Sequence, residues 1–243
     1  MAEPRQKLQV GPVLRRAGQV YARWAAMLIP AALVFHLIPL AVAVGLRDIG
    51  GLGGVLIEIV TALLSLAATC WIGGVAVKAV QAFERGNEEP SLGAALAAIR
   101  PVLLKLVGAT FLTLVFVGVG LIFLLVPGLL FLARLSLIVP VVVVEGGPVT
   151  TSLSRSNELV EGSTFRVLLV VLLVVVATIG IQQLFLFGSP PADDIGTQVA
   201  GLFASALTDP MLGILAAVMY FRLAPRPQSQ TGAALPTTDE TTA

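Results

Sequence analysis

The chain has 243 residues, of which 57% are hydrophobic and 12% charged, and its formal net charge is +1. A water-soluble domain usually carries about 25% charge and about 45–50% apolar residues, so the apolar excess here is expected to face lipid. The near-neutral balance excludes a nucleic-acid partner recognised through bulk charge, and a single cysteine, Cys70, excludes an internal disulfide.

The first long apolar run begins at Trp24 and outlasts the 7–15-residue core of a signal peptide, with no small-residue cleavage site before Arg47. It reads as a retained first span. Six runs follow in order: Trp24 to Gly45, Val55 to Val77, Leu106 to Val126, Gly128 to Val144, Val167 to Phe187, and Val199 to Phe221. Crossing about 30 Å of hydrocarbon takes about 20 helical residues. The fourth run is the shortest and is expected to stand nearly upright. Each run is continuous rather than alternating, and only helices satisfy their own backbone in lipid, so even the Val-rich fifth run is expected to be helical. The expected fold is all-α: residues 1–223 as a six-span transmembrane bundle and 224–243, rich in Pro, Thr, Gln and Ser, as a disordered cytoplasmic tail.

The connections alternate. Those after the first, third and fifth runs are short and poor in basic residues. With Arg47 and Arg134 set aside, the other thirteen of the fifteen Lys and Arg fall on the opposite side. The positive-inside rule makes that side cytoplasmic and places both termini there. An amphipathic stretch precedes each pair of spans, at Val10 to Tyr21, Ser91 to Lys105 and Val149 to Glu161. The expected unit is a short surface helix followed by a transmembrane hairpin, used three times; chance similarity between apolar segments is the other reading. Ser91 and Thr150 or Thr151 are candidate helix N-caps. Gly50, Gly51, Gly53 and Gly54 are expected to form a flexible turn.

No catalytic pattern is present. There is one histidine, His36, and no Walker-type loop, dinucleotide fingerprint or HExxH. No enzyme activity, metal or cofactor is expected. The informative residues are polar groups inside the spans, because lipid makes them costly. They are Arg134, Glu58, His36, Gln182 and Asp209, the last followed by Pro210. An Arg at mid-span costs about 2.5–3.5 kcal/mol on an insertion scale, which the apolar neighbours offset. Glu58 and Arg134 are expected to pair, with His36 and Gln182 completing the set. Two readings stand: a packing network that fixes helix register, or a substrate or ion site. Pro30, Pro39, Pro140 and Pro210 are expected to interrupt their helices.

The least generic stretch is Pro127 to Arg166, PGLLFLARLSLIVPVVVVEGGPVTTSLSRSNELVEGSTFR. A Pro-Gly opens a short span that contains Arg134. Pro140 and Glu145 follow, then Ser-Leu-x-Arg-Ser with Leu153, Arg155 and Ser156, then Leu159 and Gly162. This resembles the membrane domain attached to some bacterial glycerophosphoryl diester phosphodiesterases and related six-helix inner-membrane proteins. The specific match covers about forty residues, and the order of surface helices and spans extends it loosely, including Tyr220 and Arg222. The resemblance implies an architecture and a bacterial cytoplasmic-membrane location. It does not bring the phosphodiesterase activity, since there is no room for that domain and one histidine cannot supply its site. The residues Glu145, Arg155, Ser156, Glu158 and Arg166 form a candidate cytoplasmic interface motif, read either as a solvated face or as a patch for a protein partner. The functional expectation is an accessory or scaffolding protein in membrane- or lipid-related processes, with a small transporter using Arg134, Glu58, His36 and Asp209 as the alternative.

Overall fold

The computed structural model describes residues 9–86, 92–187 and 195–224. The Ser91 cap and all but the first residue of the expected tail lie outside them. Among the described residues there are helices and no strands. Helix α1 spans Val10–Gly45, α2 Gly51–Glu84, α3 Leu92–Ile99, α4 Leu103–Phe123, α5 Leu125–Leu135, α6 Ile138–Glu145, α7 Val149–Val160, α8 Thr164–Leu186 and α9 Ile195–Leu223. A 3₁₀ turn, Arg100–Val102, joins α3 to α4 around Pro101. Six segments are long and apolar enough to cross a membrane: α1, α2, α3 with α4, α5 with α6, α8 and α9. The chain is a multi-pass, all-α membrane bundle.

The helices run alternately away from and back to one end, which carries Val10 and Leu223 and is called the basic end below. Arg16 at the start of α1 pairs with Glu84 at the end of α2 at 3.3 Å, and its guanidinium also lies 4.3 Å from the Phe83 ring centroid. Lys105 at the start of α4 donates to the carbonyl of Gly146, just past α6, at 3.2 Å. Helix α7 packs at this end against α4, α5, α6 and α9.

Several boundaries differ from those the sequence suggests. The first amphipathic stretch is not a separate helix; α1 runs unbroken from Val10 to Gly45. A buried stripe, Val13, Ala17, Val20, Trp24 and Leu28, continues through the join at helical spacing, so nothing calls for a stop. Of the three expected surface helices, α7 stands alone and α3 is tied to α4 by its 3₁₀ turn. The N-cap of α7 is Pro148 with no side-chain cap, rather than Thr150 or Thr151. Gly50 is instead the N-cap of α2, and Gly51 to Gly54 form its first turn.

The hairpin between the third and fourth spans turns at Leu124, whose extended backbone (φ −154°, ψ 117°) separates α4 from α5. Pro127 is the one residue between the third and fourth apolar runs. It lies instead in the first turn of α5, where its missing N–H costs nothing because no intrahelical acceptor precedes it. Gly120 and Gly128 make the hairpin close: a Cβ on Gly128 would come 2.5 Å from the backbone nitrogen of Leu121.

The fourth span is not one upright helix. It covers Leu125–Glu145 and breaks at Ser136 and Leu137. Pro140 explains the break. It has no N–H to bond the Ser136 carbonyl, and its ring would crowd that carbonyl if the helix ran through. Pro140 therefore sits in the first turn of α6 rather than inside a helix, whereas Pro30, Pro39 and Pro210 do lie within α1 and α9.

Candidate functional site

Asp209 is at the midpoint of α9, and its carboxylate meets two other helices. His36 Nε2 lies 3.2 Å from Asp209 Oδ2, with side chains 10% and 11% exposed. Thr69 on α2 donates its hydroxyl to the same oxygen at 2.9 Å. On its other side, the His36 ring places Nδ1 3.0 Å from the Ala32 carbonyl one turn back on α1. The three side chains come from near the middles of the apolar parts of α1, α2 and α9 and tie those helices together. Phe35 and Trp71, neighbours in sequence to His36 and close to Thr69, stack with centroids 4.8 Å apart. Near the same level, the buried Cys70 thiol donates to Thr110 on α4 at 3.3 Å.

Two prolines set within continuous helices flank this cluster. Pro210 follows Asp209 and removes the donor that the Ala206 carbonyl would use. Close to Pro210 along α9, Tyr21 on α1 donates its hydroxyl to the carbonyl of Leu207 at 2.8 Å. Pro39 lies one turn beyond His36 on α1.

Of the five intramembrane residues singled out from sequence, the structure brings together His36 and Asp209. No hydrogen bond or ion pair among the described residues joins Glu58, Arg134 or Gln182 to them, or Glu58 to Arg134. Glu58 is exposed near the start of α2, and Arg134 is exposed in the last turn of α5. Phe116 and Phe131 pack at 6.0 Å across the hairpin. Continuing that antiparallel register sets Arg134 opposite Thr113, the middle of α4. Gln182 is half-buried on α8.

The second cluster lies at the basic end and gathers the residues of the Pro127-to-Arg166 motif. Glu145, the last residue of α6, accepts from Tyr220 of α9 at 2.9 Å and from Arg155 Nε of α7 at 3.3 Å, both on Oε1. Arg155 also reaches Glu158 at 3.3 Å. Burial works against the Arg155 charge, but Glu145 and Glu158 outweigh it and hold the guanidinium above its ordinary range. Ser156 is fully buried and donates to the Arg134 carbonyl at 2.8 Å, capping a chain end left open by the Ser136 break. Arg166 sits half-buried in the first turn of α8 and joins no ion pair among the described residues. Leu159 and Val160 are buried and Glu158 is exposed, the orientation expected of an amphipathic helix.

Sequence reasoning missed Thr69, Thr110 and the roles of Tyr21 and Lys105. A threonine in an apolar helix normally bonds its own backbone, as Thr113 does to Ala109 and Thr208 to Ala204. No local pattern distinguishes the one that reaches a neighbouring helix. The chain matches no protein-family model, no curated protein and no solved structure.

Proposed function

We propose that this is a protein of the bacterial cytoplasmic membrane with both termini in the cytoplasm, acting without catalysis as an accessory or scaffolding component in membrane- or lipid-related processes. The basic-residue asymmetry supports the orientation, and the resemblance of the Pro127-to-Arg166 stretch supports the membrane and the setting. The observation that carries the scaffolding reading is how the polar side chains are used. The two clusters are spent on holding helices to one another, and among the described residues the side chains of Glu58 and Arg134 join neither. On this reading the basic end, with α7 latched across it, is the face offered to a protein partner.

Photoreactive residues at exposed Asn157 and Glu158 of α7, and at Phe187 beyond α8 as a control, test it in membranes of the source cell. The reading requires a discrete adduct from α7 that disappears when Arg155→Ala loosens the helix. No adduct from any position would sink it. Orientation is tested separately, with Asp48→Cys and Arg85→Cys in a Cys70→Ser background. An impermeant thiol reagent should label position 48 in intact cells and position 85 only after lysis.

A specific observation also favours a second reading, a small transporter: the His36, Asp209 and Thr69 cluster lies deep in the apolar bundle, where ionisable groups commonly mark ion or proton pathways. Substrate- or ion-dependent flux in proteoliposomes, abolished by Asp209→Asn, would replace the scaffolding reading with this one.

A further inference from the structure

We propose that His36 and Asp209 form an intramembrane proton-binding site, which holds one exchangeable proton between His36 Nε2 and Asp209 Oδ2 and with it fastens α1 to α9 beside Pro210. The inference goes beyond the scaffolding reading and stands whether or not that reading does.

The count of donors and acceptors carries it. A neutral imidazole has one N–H and one bare nitrogen. Here both ring nitrogens face oxygen: Nδ1 the Ala32 carbonyl at 3.0 Å, Nε2 the Asp209 carboxylate at 3.2 Å. The carbonyl can only accept, so Nδ1 carries a proton. A second proton must then lie between Nε2 and Oδ2, or two acceptors would face each other at contact distance. Oδ2 also receives the Thr69 hydroxyl at 2.9 Å. A hydroxyl donated to Oδ2 stabilises the charged carboxylate over its acid, so the proton is assigned to Nε2 and the pair is an imidazolium and a carboxylate. Their opposite charges cancel in a setting where either alone would be costly.

The groups facing this pair are few. On α1 there is Tyr21, engaged with the Leu207 carbonyl. On α2 there are Thr69 and the Cys70 thiol, the latter turned to Thr110. The ionisable residues of α6, α7 and α8 nearest to α9 are Glu145, Arg155, Glu158, Glu161 and Arg166, all at the basic end. Arg15, Arg16 and Arg23 of α1, Lys78 and Glu84 of α2 and Arg222 of α9 lie toward the basic end and Glu58 of α2 toward the other, and no hydrogen bond or ion pair among the described residues joins any of them to the pair. Release of the proton would leave a neutral His36 with a bare Nε2 against the Asp209 carboxylate. The joint between α1 and α9 would then open at the point where Pro210 has already weakened α9.

The chain has one histidine, so the test has no overlap. The full-length protein, carrying a histidine-free affinity tag and labelled with ¹⁵N in the imidazole ring, is placed in phospholipid nanodiscs and its ring nitrogens are followed by NMR against pH. The site requires both nitrogens protonated at neutral pH. On raising pH, Nε2 alone should lose its proton in one step, with Nδ1 held by Ala32. Asp209→Asn should weaken proton binding about tenfold or more, the loss of an opposite charge at contact distance. Thr69→Val should move it the other way, because a carboxylate relieved of a donor holds the shared proton more tightly. A purely structural role for these residues would not produce shifts of opposite sign. A bare Nε2 at neutral pH in the unaltered protein overturns the site without any variant, and so does a titration that neither substitution moves.

Discussion

The two halves of the bundle are built differently. Toward the basic end, side chains interlock: Val13, Val20, Val75, Val77, Val80, Ile99, Leu106, Val141, Val142, Val160 and Ile214 are all nearly inaccessible. Toward the opposite end, large apolar side chains are exposed along α2 (Leu52, Leu56, Ile59, Leu63), the α4–α5 hairpin (Ile122, Phe123, Leu124, Leu125) and α8 (Val176, Leu184). The difference follows from what each half has to hold together. Lipid is as apolar as leucine, so within the bilayer there is no hydrophobic drive to bring helices together. At the basic end polar links supply the missing attraction: Arg16 with Glu84, and Arg155 and Tyr220 with Glu145. The His36–Asp209 cluster lies between the two regimes.

If the halves differ in this way, substitutions should divide between them, as read by reversible unfolding in mild detergent. Leu106→Ala, in the packed half, should destabilise by about 2–5 kcal/mol, the usual range for a truncated core leucine. Phe123→Ala, at the hairpin tip, should cost under about 0.5 kcal/mol, as for an exposed site. Equal losses at the two positions would break the comparison. Gly213→Ala should come next. Its new Cβ would sit 2.9 Å from both the Gly73 Cα and the Ala76 Cβ, and overpacking of that kind costs about 1–3 kcal/mol. Gly118→Ala meets nothing within 4 Å and should be neutral or stabilising by up to about 1 kcal/mol. Glu145→Leu removes the acceptor shared by Tyr220 and Arg155 and should cost about 1–2 kcal/mol, reduced from the value of a buried charged bond because the pair is one-third exposed. A double-mutant cycle with Arg155→Leu should then show coupling between them, and strict additivity would detach α7 from the latch described above. The smallest effect is expected at Glu158→Gln, whose exposed i,i+3 pair with Arg155 is worth a few tenths of a kcal/mol.

Much of the packed half can be read from the sequence, because water leaves marks there. The amphipathic spacing of Val149 to Val160 and the basic residues around it announce α7. The run Pro127 to Arg166 likewise flags Glu145, Arg155 and Ser156 before their contacts are known. Apolar run length reveals the six spans. What it does not reveal is the rotation of each helix about its axis, since lipid and a neighbouring helix ask for the same residue types. That is why Glu58 and Arg134, similar in distance from the ends of their runs, look like partners when counted along the chain but take separate places in three dimensions. Asp209 and His36 could be named as polar; that they would meet each other, with Thr69, depends on helix register. The break before Pro140 was available as a proline signal, but a proline in a span can kink a helix, end one or begin one, and only the neighbouring backbone decides.

The hairpin turn at Leu124 bears on how the protein enters its membrane. Between Lys105 and Glu145 the only charged residue is Arg134, and the turn itself is Ile-Phe-Leu-Leu-Val. Most pairs of spans must drag a hydrated loop through the hydrocarbon on their way in. This pair carries none, so α4 and α5 can partition together from one side, tip first, with the Gly120–Gly128 contact formed as they go. Arg134 trails behind that tip and is the step at which insertion would stall.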